Sequence, residues 1–100
     1  MKIRKAKQSD AKKCIELTKT PEFIFPGEKN FVEKYLLDFI KKGIFYVAEE
    51  NQKIVGFISA QEIFGREMWI DMIVVDKNFR GKGIGTKLIK LVLKIAKKKV

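Results

Sequence analysis

Three glycines alternate at Gly81, Gly83 and Gly85, set between Arg80 and Thr86. A glycine turn that opens a helix leaves the first-turn N–H groups without intrahelical partners. They aim at one spot, backed by the positive end of the helix dipole. That spot suits an anion, and a phosphate above all. Glycine is needed where a phosphate must approach the backbone without meeting a Cβ. Arg80, Lys82 and Lys87 add positive charge around it. These residue types point to a phosphate-bearing ligand held by the backbone of residues 81–86.

The neighbouring elements must present this turn. Met68 to Val75 is apolar and β-branched at Ile70, Ile73, Val74 and Val75, with one acid at Asp71, and is predicted to be a strand. After the turn, Ile84, Leu88, Leu91, Val92 and Ile95 fall on a 3.6-residue period and predict a helix. Two familiar phosphate loops are excluded. A Walker loop needs four residues between its glycine and a Gly-Lys-Ser/Thr, and no such string occurs. A dinucleotide fingerprint needs G-x-G-x-x-G inside a βαβ unit; here the spacing is G-x-G-x-G.

Arg80-Gly81-Lys82-Gly83-Ile84-Gly85 resembles the [Q/R]-x-x-G-x-[G/A] acyl-CoA motif of the GNAT superfamily of N-acetyltransferases, with Arg80, Gly83 and Gly85 on the defining positions. The strand ending in Val75-Asp76 and the following Leu88-Ile89 are similar to that family too, although Lys77 stands where many members have proline. The resemblance implies acetyl-CoA as cofactor and direct attack of an amine on its thioester. It implies that Arg80, Gly81, Lys82, Gly83, Ile84, Gly85 and Thr86 hold the pyrophosphate. It also implies that Ile73, Val74 and Val75 offer backbone to the pantetheine and polarise the thioester carbonyl. An ammonium acceptor must lose a proton before it attacks, so a carboxylate is needed. Asp71 is the first candidate and Glu62, on the neighbouring predicted strand, the second. For Asp71 the competing reading is a solvated strand residue or the partner of a nearby lysine.

The remaining elements follow in order. Lys2 to Lys7 alternates and predicts a strand. Ser9 is placed as the N-cap of a helix bearing Ala11, Cys14, Ile15 and Thr18 on one face, which stops before Pro21. Cys14 is expected in the core; a covalent role would need a base beside it, and the chain has no histidine. The connector PEFIFPG carries Phe23, Ile24 and Phe25, which either line an acceptor pocket, as the resemblance implies, or close the core from one side. Phe31, Val32, Tyr35, Leu36, Phe39 and Ile40 predict a second helix that ends at Gly43. Ile44–Glu50 and Lys53–Phe64 predict a hairpin joined by Asn51-Gln52, with Gly56 marking a bulge or a close backbone approach.

The implied order is β-α-α-β-β-β-α, an α+β fold with a mixed, mainly antiparallel sheet flanked by helices. At 100 residues the chain is expected to form a single domain. It is similar to the N-terminal portion of the GNAT fold; the further strands and the tyrosine that often protonates the leaving thiolate have no counterpart, and Tyr35 and Tyr46 do not match its position. The motif strand is then expected to have an open edge, which a homodimer or a further C-terminal segment would cover. No apolar run reaches the roughly 20 residues of a membrane span, and no metal site is expected. The single cysteine and the lack of a signal-peptide pattern fit the cytoplasm. The net charge of +10 is read as a lysine-rich solvated surface. A nucleic-acid partner is not expected, because no helix pairs a basic face with polar base-readers and no aromatic stacking set is present. Besides an N-acetyltransferase, a CoA-binding module without catalysis fits these residues.

Overall fold

The computed structural model describes residues 1–19 and 29–99. Four strands, β1 (Lys2–Lys5), β2 (Ile44–Glu50), β3 (Lys53–Ile63) and β4 (Glu67–Val75), form one antiparallel sheet in the order β1-β2-β3-β4. Helices α1 (Ala11–Leu17) and α2 (Lys29–Lys42) cover one face, and α3 (Ile84–Lys99) covers the other. This is the expected α+β order.

The strand pleat divides the core in two. Phe45, Val47, Phe57, Met72 and Val74 pack with Cys14, Ile15, Leu36 and Ile40 under α1 and α2. Phe45 and Phe57 stack at 5.2 Å between centroids. Ala48, Val55, Ile58 and Ala60 pack with Ile84, Leu88 and Val92 of α3. Because side chains alternate across a strand, one sheet serves two cores.

The β2–β3 hairpin has its expected turn. Asn51 and Gln52 both take positive φ, 50° and 64°, as a two-residue turn with the right-handed strand twist requires. Beyond it the register slips by one residue at Val55, beside Gly56. A Cβ on Gly56 would meet Val74 O at 3.1 Å, so the close approach expected there is real.

Two local expectations need correction. The first strand ends at Lys5, because the Asp10 carboxylate draws off the Lys7 N–H at 2.7 Å and starts a tight turn over Gln8–Asp10. Asp10, rather than Ser9, is therefore the residue that precedes α1, and its carboxylate closes the turn at Lys7 instead of capping the first N–H groups of the helix. Arg4 donates to both Asp10 oxygens at 2.8 and 3.1 Å and to Glu49 at 3.2 Å, tying β1, β2 and the start of α1 together. This pairing holds the Asp10 carboxyl below the usual carboxylate range, chiefly through the Arg4 hydrogen bonds.

Candidate functional site

The turn between β4 and α3 is fastened to the end of β4 and to β3 by short hydrogen bonds. The Asp76 N–H bonds to Val55 O at 2.8 Å, and its carboxylate accepts the Asn78 N–H at 2.9 Å. Lys77–Phe79 then form one tight turn, closed by the Phe79 N–H on Asp76 O at 2.8 Å. Arg80 Nε donates to Val75 O at 3.0 Å, which fastens the loop to the strand end. Lys82 Nζ lies 5.2 Å from the centroid of the Phe79 ring.

Gly81 and Gly83 adopt φ of 81° and 82°, which an L-residue reaches only with strain. Nothing lies within 4 Å of a Cβ built on either, so the loop face there is open. Gly85 differs: its φ is ordinary, and a Cβ would rest against Ile73 and Val75 at 3.8 Å, pointing into the sheet. Gly83 O accepts the Lys87 N–H at 3.1 Å, which makes Gly83 the N-cap. The N–H groups of Ile84, Gly85 and Thr86 follow it without an i−4 carbonyl. Buried Ile84 seats this end of α3 on the sheet beside Gly56.

β4 is the last strand of the sheet, so one of its edges is open among the described residues. The Asp76 N–H turns inward to β3. By strand alternation, Val75 and Ile73 turn their N–H and C=O groups outward, toward that edge. Val74 faces inward, with its carbonyl against Gly56. The open edge of β4 thus leads, through the Arg80–Val75 hydrogen bond and the tight turn over Lys77–Phe79, to the first turn of α3.

The two candidate bases are not brought together. In β4 the partners Ser59↔Met72 and Ala60↔Ile70 leave Asp71 as an extra, bulged residue. Gln61 Nε2 donates to Asp71 Oδ1 at 3.0 Å, on the face covered by α2. Tyr35 of α2 stands close enough to sense this carboxylate: burial raises its phenol pKa first, and the charge of Asp71 raises it further. Glu62 pairs with Met68, whose side chain packs on the α3 side, so the pleat turns Glu62 to the opposite face. Glu62 and Gln61 share a groove of about 390 Å³ with Phe39, Lys42 and Ile44. Neither the bulge nor the approach of Tyr35 has a local sequence signal, since Tyr35 and Asp71 lie far apart in the chain. Phe23, Ile24 and Phe25 lie outside the described residues. Cys14 is fully buried, and burial pushes its thiol up to about 12.

The Acetyltransferase (GNAT) family matches residues 11–99. The chain belongs to the GNAT acetyltransferases. Over 61 residues it is 44% identical to an uncharacterized N-acetyltransferase of Methanocaldococcus jannaschii, a match that covers 55% of this chain and 27% of that protein. Solved GNAT structures share the fold. The PaiA N-acetyltransferase of Thermoplasma acidophilum, in complex with coenzyme A, superposes with a TM-score of 0.82 at 22% identity, covering 98% of this chain and 72% of the other. Ard1 of Thermoplasma volcanium gives 0.85 at 22% identity over 98% and 64%. This GNAT chain thus spans about a quarter of its curated relative and roughly two thirds of these structures. Among the described residues no helix is long and apolar enough to cross a membrane.

Proposed function

We propose that this chain is the cofactor-binding core of a cytoplasmic acetyl-CoA-dependent N-acetyltransferase that acts on an amine. The observation that carries the reading is the open first turn of α3, flanked by two left-handed glycines and joined through a tight turn to the open edge of β4. Acetyl-CoA fits this surface: a polyanionic pyrophosphate suits the helix start, and an extended pantetheine suits the strand edge. When bound, it supplies a thioester whose carbonyl carbon accepts the amine, forming C–N as C–S breaks. The N–H groups of residues 81–86, with Arg80 and Lys82 beside them, hold the pyrophosphate. Ile73 offers its edge N–H and C=O groups, and Val75 its N–H, to the amides, with Val74 setting the pleat between them; the Val75 carbonyl is held by Arg80. Asp71 takes the proton from the acceptor ammonium, oriented by Gln61. Glu62, on the other face, is the second candidate.

A panel of amines assayed for thiol release tests this. The expected result is turnover that Asp71→Asn lowers about 100-fold or more, with cofactor affinity unchanged. Binding without turnover on any amine would instead make the chain a CoA-binding module. A second copy covering the β4 edge is part of the same proposal. Light scattering at twice 11.6 kDa is then expected, and the monomer mass would remove it.

A further inference from the structure

The positive charge is not spread evenly. Nine of the 22 basic residues lie between Lys77 and Lys99, and none of the 12 acids does. The other basic residues nearly balance the acids, so almost the whole net charge of +10 belongs to the loop and α3. On α3, Lys87, Lys90, Lys94, Lys97 and Lys98 are all exposed. At 3.6 residues per turn they share an arc of about 100°, facing away from the Ile84, Leu88 and Val92 seam.

Stability does not account for this face. Lys90–Lys94 and Lys94–Lys98 are like-charged i, i+4 pairs, which weaken a helix. Only the last turn gains from the helix dipole, so Lys87 and Lys90 do not. None of the ion pairs among the described residues involves α3, so no Lys–Glu surface network stands behind it. The loop ligand accounts for Arg80, Lys82 and Lys87 at most, because Lys98 lies about 12 Å along the axis beyond Lys90.

We propose that the lysine face of α3, read from the sequence as solvated surface with no nucleic-acid partner, docks on the phosphate backbone of nucleic acid without reading its bases. A protein partner is disfavoured because protein interfaces deplete lysine and centre on apolar anchors, and this arc holds lysine alone. An interfacial membrane helix turns its apolar side outward, whereas the apolar seam of α3 is spent on the sheet. The half-exposed Ile89 and Leu93 lie outside the arc, on the flank toward β4. Phosphate contacts need only clustered cations, and the arc carries no Asn, Gln or Arg to reach base edges. This role is independent of acyl transfer.

The test is fluorescence anisotropy of a short, mixed-sequence duplex DNA titrated with the full chain, with phosphatidylserine vesicles in parallel. If five lysines each neutralise a phosphate, log K against log salt has a slope of about −4.5, and affinity falls about 500-fold between 50 and 200 mM. The variant Lys90→Gln/Lys94→Gln/Lys97→Gln/Lys98→Gln should keep its circular dichroism and melting temperature. It should bind DNA more than about 100-fold more weakly at 50 mM, with a slope near −1. Absence of binding at 50 mM, equal binding by the folded variant, or vesicle binding that matches or replaces DNA binding would each overturn the proposal.

Discussion

Replacing Gly83 and Gly85 separately by alanine distinguishes a phosphate loop from an ordinary helix start. Gly83 holds φ of 82° with nothing within 4 Å of a built Cβ, so Gly83→Ala meets no neighbour and its stability cost is backbone strain alone. Left-handed geometry costs an L-residue about 1–2 kcal/mol. At about 4–8 °C per kcal/mol for a domain of this size, the melting temperature should fall by about 4–16 °C. Gly85 has an ordinary φ, and an added methyl touches Ile73 and Val75 at 3.8 Å. Gly85→Ala should gain about 0.5–1 kcal/mol from helix propensity and melt a few degrees higher. Their ligand effects should diverge as well. A methyl at Gly83 stands on the open loop face, and losing one charge-assisted hydrogen bond there costs about 1.5–3 kcal/mol, or about 10–150-fold in acetyl-CoA affinity. At Gly85 the methyl points into the sheet, so affinity should stay within about twofold of the parent. Thermal melts with and without acetyl-CoA read both quantities. Unimpaired binding by Gly83→Ala, or a destabilised Gly85→Ala, would refute the loop geometry.

Two further outcomes follow from titratable groups. Asp10 has a folded-state pKa below its unfolded value, so its contribution is fully present above the usual carboxylate range and is lost as pH falls through the folded pKa. Asp10→Asn should therefore be less stable than the parent by about 1–2 kcal/mol at neutral pH, and urea unfolding should show the gap closing in acid. A gap that stays constant from neutral to strongly acidic pH would count against the Arg4 pairing. Cys14 is fully buried with its thiol pushed up to about 12, so iodoacetamide at mildly alkaline pH should label it far more slowly in the native protein than in urea. Equal rates would place the thiol at the surface.

Much of this architecture is legible in the sequence where a local rule acts alone. The Ile44–Glu50 strand and its Asn51-Gln52 turn follow from alternation and turn chemistry. The α3 seam follows from period, with Ile84, Leu88 and Val92 buried as expected. What escaped depends on residues distant in the chain. The bulge at Asp71 flips the pleat of β4, so Met68 packs on the α3 side while Met72 packs beneath α1 and α2, although both are even-numbered. Nothing in the apolar run of β4 announces that flip. Asp10 stands before α1 in place of Ser9, its carboxylate held by Arg4 of β1 and by the Lys7 N–H. The basic arc of α3 is different in kind. It is written in the sequence as a segment without acids, but its meaning depends on which helix face the core consumes.

Calorimetric titration of acetyl-CoA into this chain and into Gly83→Glu tests the phosphate loop most directly. The substitution sets a side chain and a negative charge on the open face of the loop, beside the positive end of the α3 dipole. The expected result is saturable binding by the parent and none by the variant, with both folded by circular dichroism. No heat from the parent at millimolar cofactor, or equal binding by the folded variant, would contradict the assignment of this loop.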